Sequence, residues 1–142
     1  MFASQSDTLV QMFRERIAAS GDSECYRTKI DGAWVSTTWR SFADLAKQVG
    51  AGLLEMGNQH GDSIAILGAT QPPWCIADMG AIGIGARTVG VYPTLMRDQM
   101  AFIMNDADCK VLFIDGEYLA PCLPLLDEVD TLEQIVVWQP QD

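Results

Sequence analysis

Apolar positions recur along this chain with two periods, one near four residues and one near two, and the switches between them mark its elements. Leu9, Met12, Phe13 and Ile17 follow helical spacing behind Ser6 or Asp7, either of which suits an N-cap. Gly21 stands where a left-handed residue would close that helix. Its other face is polar (Gln11, Arg14, Glu15), so the helix offers one apolar stripe for docking. Two strand-like runs, Glu24 to Ile30 and Trp34 to Thr38, flank Asp31-Gly32, a pair that tolerates positive φ and predicts a hairpin. Thr38 then suits the N-cap of the strongest helix in the chain, with Phe42, Leu45, Ala46, Val49, Leu53 and Met56 on one stripe and Gly57 just past its end.

Beyond residue 60 the periods alternate more quickly. Ser63 to Leu67 is a short apolar run that predicts a buried strand. Gln71-Pro72-Pro73-Trp74 opens a third helix, since proline loses nothing in a first turn. That helix runs through Ile76, Ala77, Met79 and Ala81 to glycines at 83 and 85. Thr88 to Tyr92 predicts a strand that Pro93 stops. Thr94 suits the N-cap of a fourth helix carrying Met96, Met100, Ile103 and Met104 as a core stripe. Lys110 to Ile114 is uniformly apolar after its lysine, which predicts a strand covered on both faces. A fifth helical segment carries Leu119, Leu123 and Leu126, and Gln134 to Trp138 predicts a last strand.

Strands alternating with helices specify an α/β fold: a mostly parallel sheet with helices on both faces, plus an N-terminal β-hairpin. The 142 residues read as one subdomain, with the helix, hairpin and long helix in 1–60 and the βαβ units in 61–142. The chain ends just after a strand, where an α/β domain more often continues into a helix, so it reads as truncated.

Composition narrows the classes. Apolar residues make up 49% and charged residues 20%, a globular balance. The longest apolar stretch, Met79 to Val91, is broken by four glycines and Arg87, so no transmembrane segment is expected. The amino terminus lacks a basic region followed by an apolar core, which makes the cytoplasm the default location. The net charge is −10, and the three lysines are scattered, which argues against nucleic acid as a partner. Cys25, Cys75, Cys109 and Cys122 are widely spaced, beside a single histidine, and read as buried free thiols rather than zinc ligands or the two disulfides that four cysteines could form in an oxidising compartment.

The candidate chemistry is sparse. A P-loop pattern is absent, and the glycines from Gly80 to Gly90 precede a strand instead of following one, so close helix–strand packing explains them better than a dinucleotide site. His60 lies in a polar turn that Asp62 is expected to fix. Asp106 and Asp108 sit in a helix-to-strand connection. Trp34, Trp39, Trp74 and Trp138 fall within or beside elements and read as packing residues. No catalytic residue, cofactor ligand or metal ligand is assigned. The turn Tyr92-Pro93-Thr94 is the place expected to meet substrate, because ligands of α/β sheets gather at the carboxyl ends of strands.

Several segments, taken in order, resemble the opening of the adenylate-forming (AMP-binding) superfamily. These are the hairpin and helix from Thr28 to Gly57, GDSIAIL at 61–67, PPW with IADMGAIGIGA at 72–86, VYPT at 91–94 and FIMNDADCKVLFID at 102–115. The Tyr-Pro-Thr turn is most similar to the long-chain fatty acid–CoA ligases. Thr70, Arg87 and Gly90 depart from the usual pattern. The resemblance implies a parent enzyme that activates a long-chain fatty acid with ATP and Mg²⁺ to acyl-AMP, then transfers it to coenzyme A. The parent's nucleotide-gripping loop and catalytic lysine would lie beyond Asp142. The fragment is therefore expected to be inactive, to hold none of these cofactors alone, and to have the remainder of the ligase chain as its partner. Self-association through uncovered apolar surface is also expected, and peripheral attachment of the parent to a membrane stays open. The rival reading is a stand-alone acyl- or nucleotide-binding module of the same fold.

Overall fold

A computed structural model describes residues 6–139. Its elements are α1 (Leu9–Ser20), β1 (Glu24–Ile30), β2 (Ala33–Thr38), α2 (Trp39–Glu55), β3 (Ser63–Leu67), α3 (Pro72–Gly83), β4 (Arg87–Val91), α4 (Arg97–Asp106), β5 (Cys109–Asp115), α5 (Leu119–Cys122), α6 (Leu125–Glu128) and β6 (Gln134–Trp138). A 3₁₀ turn, Gly116–Tyr118, leads into α5.

β3 to β6 form one parallel sheet in the order β4-β3-β5-β6. Alternate residues of its strands serve two cores. Ala65, Leu67, Leu112 and Ile114 face α4 and the α5–α6 segment, where Met100, Met104, Cys122 and Leu125 are buried. Ile64, Ile66, Val111 and Phe113 face α2 and α3, against Leu53, Ala77 and Ala81. A period of two on each strand, with helices on both sides, explains why these strands read as continuous apolar runs.

β1 and β2 pair as a separate antiparallel hairpin. Asp31 (φ 49°) and Gly32 (φ 81°) occupy the two turn positions in the left-handed region, the geometry that matches strand twist. The Ser36 hydroxyl donates to the Glu24 carboxylate across the ladder, and Arg27 Nε donates to the same group at 2.7 Å. Thr38 caps α2 by accepting from the Ser41 N–H at 3.2 Å. Gly57, at φ 91°, ends that helix, donating to Leu54 O while the Asn58 N–H reaches Leu53 O.

Several expectations are corrected. The N-cap of α1 is Thr8, which accepts from Gln11, instead of Ser6 or Asp7. Gly21 is right-handed (φ −53°), and its small size matters for another reason. A Cβ there would lie 2.7 Å from Ile17 O and 2.9 Å from the Arg40 guanidinium. Thr94 does not cap α4. It lies in a turn closed by Leu95 N–H to Tyr92 O (3.1 Å), and the N-cap is Met96, whose N–H is accepted by Gln99 Oε1 at 3.0 Å. The fifth helix is two four-residue pieces, because Pro124 withholds the N–H that would extend α5 past Leu123.

Gly80 of α3 serves helix–helix contact and not helix–strand contact. A Cβ on Gly80 would come 2.7 Å from the Val49 side chain and 2.8 Å from Ala46 O, both on α2, while one on Gly50 would meet Gly80 O at 3.1 Å. Only Cys109 and Cys122 are buried; Cys25 is half-buried and Cys75 exposed. Of the expected core stripe on α4, Met100 and Met104 are buried but Met96 is exposed, and Trp34 stands out on the hairpin. Among the described residues, no helix is long and apolar enough to cross a membrane.

Candidate functional site

The strand order places a topological switch at β3 and β5. From β3 the chain steps outward to β4, then returns past β3 to β5 and onward to β6. The connections therefore leave β3 and β5 toward opposite faces, opening a crevice at their carboxyl ends, where α/β folds bind ligands. In register, Leu67 lies beside Val91 and Ile114, and Asp115 beside Trp138. Gly68, Tyr92, Asp115 and Trp138 thus share one edge.

Two parts of this edge differ sharply. At the outer part, Tyr92-Pro93-Thr94 forms the turn that leaves β4. Tyr92 is 74% exposed and available for contact. At the centre, the Trp138 ring lies over the exit of β3. A Cβ on Gly68 would stand 2.5 Å from Trp138 Cζ2 and 3.2 Å from Asp115 Cβ, so only glycine leaves room for the indole there. Asp115 is buried, and one carboxylate oxygen accepts from the Glu117 N–H at 3.3 Å. Trp138 Nε1 is buried with no hydrogen-bond partner, as is Gln134 Oε1 on the same strand. β6 therefore ends with an unpaired buried donor at the carboxyl edge of the sheet, where an unmade hydrogen bond is costly.

The sequence singled out Tyr92, Pro93 and Thr94 and marked Trp138 as a packing residue, as its ring over Gly68 is, but gave no notice of Gly68 or Asp115. The available signal was positional: both stand at or just past the carboxyl end of a predicted strand. The other candidates lie elsewhere. His60 is exposed, with its ring against Gly85, where the Gly61 N–H also meets Gly85 O at 2.9 Å. Asp62 Oδ2 accepts from the Gln59 N–H at 2.8 Å, fixing the turn, and Asp62 Oδ1 accepts from Lys110 Nζ at 2.8 Å. Those two donors hold the Asp62 carboxyl below its ordinary value. Asp108 (φ 52°) makes the polar connection into β5. Burial pushes the Cys109 thiol up to about 11 and raises the other three thiols as well, so none is poised as a thiolate nucleophile.

The AMP-binding enzyme signature matches residues 13–141. The chain belongs to the AMP-binding enzyme family. The long-chain-fatty-acid–CoA ligase FadD15 of Mycobacterium bovis is 31% identical to this family member over 113 residues, covering 80% of the chain and 19% of the ligase. The uncharacterised protein Rv1549 of Mycobacterium tuberculosis is 29% identical over 112 residues, 79% of the chain and 63% of that protein. A solved Mycobacterium tuberculosis fatty acyl CoA synthetase shares the fold at a TM-score of 0.76 and 24% identity, over 91% of this chain and 26% of its own. This AMP-binding family member thus spans about a fifth of the length of the ligase it matches.

Adenylate-forming CoA ligases use ATP, Mg²⁺ and coenzyme A. The residues present do not fit a polyphosphate at this edge. Among the described residues, no group of three or more His, Cys, Asp or Glu side chains is assembled to hold a metal. The edge carries Asp115 and Glu117, which repel phosphate, and the guanidinium of Arg97 at the start of α4 is taken up by Glu128 at 2.9 Å.

Proposed function

We propose that this chain is the sheet-forming N-terminal part of a long-chain fatty acid–CoA ligase-like enzyme. In full length that enzyme would join a long-chain fatty acid to coenzyme A through acyl-AMP, using ATP. The chain alone builds one wall of the site and leaves the phosphate chemistry to residues outside it. The observation that carries this reading is the 31% identity to FadD15 confined to 19% of that ligase. The Tyr92-Pro93-Thr94 turn is the part of the wall that would meet substrate, since it is the exposed exit of a strand at the ligand-binding edge.

The test is a pyrophosphate-release assay on the purified chain with ATP, Mg²⁺, palmitate and coenzyme A. The expected result is no release above background and no palmitoyl-CoA. Turnover by the chain alone would overturn the proposal.

A second reading, a stand-alone non-catalytic module, is favoured by one observation: the aligned stretch makes up 63% of Rv1549, a relative far shorter than the ligases. Calorimetric titration with ATP·Mg²⁺ and with coenzyme A separates the two. Saturable binding of either at micromolar concentration supports the module, and its absence supports the ligase part.

A further inference from the structure

Away from the carboxyl edge, α1 lies across α2 and α3 and leaves a groove of about 320 Å³ between them. Its size has a sequence origin. The surfaces of α2 and α3 beneath it are made of small residues, Ala46, Gly50, Gly80 and Gly83 among them. Close α2–α3 packing through Gly50 and Gly80 leaves no side chain to fill the space above. The larger lining residues are apolar: Phe13 and Ile17 from α1, Leu54 from α2, and Met79 and Ile84 from α3 and its end. No residue of α1 is fully buried, so the helix borders the groove without closing it.

The charges at the groove reverse the character of the whole chain. Against 19 carboxylates and 9 lysines and arginines overall, the lining includes no carboxylate and two cations, Arg14 and Lys47. Lys47 has an exposed partner in Asp44 at 3.4 Å. Arg14 has no ion-pair partner among the described residues. An apolar cleft of this volume is in the range of small-ligand sites, where a few placed polar groups set orientation. A guanidinium recognises a carboxylate with two parallel hydrogen bonds.

We propose that the groove between α1, α2 and α3 binds a free long-chain carboxylate, with the hydrocarbon against Phe13, Ile17, Leu54 and Met79 and the carboxylate on Arg14, assisted by Lys47. The site is separate from the carboxyl edge and does not depend on the chain being part of a ligase. A second copy of the chain is the competing occupant. It is disfavoured because a two-fold contact through this face would bring Arg14 and Lys47 toward their like with no carboxylate in the lining to offset them.

The experiment titrates the chain with palmitate below its critical micelle concentration and, in a parallel arm, with hexadecanol, while sedimentation reports the oligomeric state. Gly83→Leu fills the groove, and its Cβ meets nothing within 4 Å, so the helix backbone keeps its place. Ala51→Met fills it from α2. Arg14→Gln removes the charge. The expected results are one palmitate per chain, at least tenfold weaker binding of hexadecanol and of palmitate to Arg14→Gln, and loss of binding in either filling variant that keeps the parent's thermal transition. Absence of saturable palmitate binding overturns the proposal. So does equal affinity for hexadecanol, or binding that survives both filling variants. Self-association removed by Gly83→Leu would assign the groove to a second copy instead.

Discussion

Asp62 shows how one side chain joins a turn to a sheet. It closes the turn before β3 through the Gln59 N–H and reaches Lys110 at the start of β5. Because both donors favour the carboxylate, its folded value lies below the unfolded one of about 3.9. Its contribution to stability is therefore fully present above the unfolded value and is lost as pH falls through the lowered folded value. Asp62→Asn is expected to be less stable than the parent at pH 7, with the gap closing toward pH 3. Urea denaturation at the two pH values checks this, and equal stability at pH 7 would refute it. The turn role of Asp62 was legible in the sequence, because Asp before a strand bonds its own backbone. The partnership with Lys110 was not, since 48 residues separate them and only the β3–β5 pairing brings them together.

At the scale of elements, α2 and α3 meet through missing side chains. Gly80→Ala would drive a Cβ into the Val49 side chain and the Ala46 carbonyl, and backbone cannot yield as a side-chain tip can. A cost of about 1–3 kcal/mol is expected from such overpacking. Gly83→Ala, one turn later on the same helix, meets nothing within 4 Å and has ordinary helical φ. It is expected to stabilise by roughly 0.4–1 kcal/mol, by restricting the unfolded chain. Thermal or urea unfolding of the two variants side by side gives opposite signs if α2–α3 contact is what requires Gly80. Both positions read alike in the sequence as glycines near a helix end. Their difference belongs to the approach of α2, which no local pattern encodes. The stripe of α2 was legible, and Phe42, Ala46 and Leu53 are buried as its spacing required. Leu45, on the same stripe, is 39% exposed.

For the whole molecule, the sheet is covered on both faces but much apolar surface remains outside. Trp34 (66% exposed) and Phe102 (70% exposed) project from the hairpin and from α4, elements with little over them. β1 and β2 also form a two-stranded ribbon outside the main sheet, and such a ribbon exposes edge groups that invite pairing. The isolated chain is expected to associate reversibly. Sedimentation velocity should show a sedimentation coefficient that rises with concentration, reduced in the Trp34→Ser, Phe102→Ser double variant. A concentration-independent monomer in the parent would count against it. The family signature runs over residues 13–141 and so takes in the hairpin, the sheet and the helices that cover it.

Period and punctuation along the sequence determined the elements: a hairpin at Asp31-Gly32, a helix capped by Thr38 and ended by Gly57, buried apolar strands at 63–67 and 110–114, and hence an α/β class. Each depends on neighbours within a turn or two, where backbone sterics and side-chain spacing act directly. Tertiary structure alone decided which distant residues meet. It put Trp138 over Gly68 at the switch point, buried Asp115 beside them, opened a groove above Gly80 and Gly83, and gathered Arg14 and Lys47 at its edge. Those meetings follow from strand order and helix approach, which are properties of the assembled sheet and not of any segment within it.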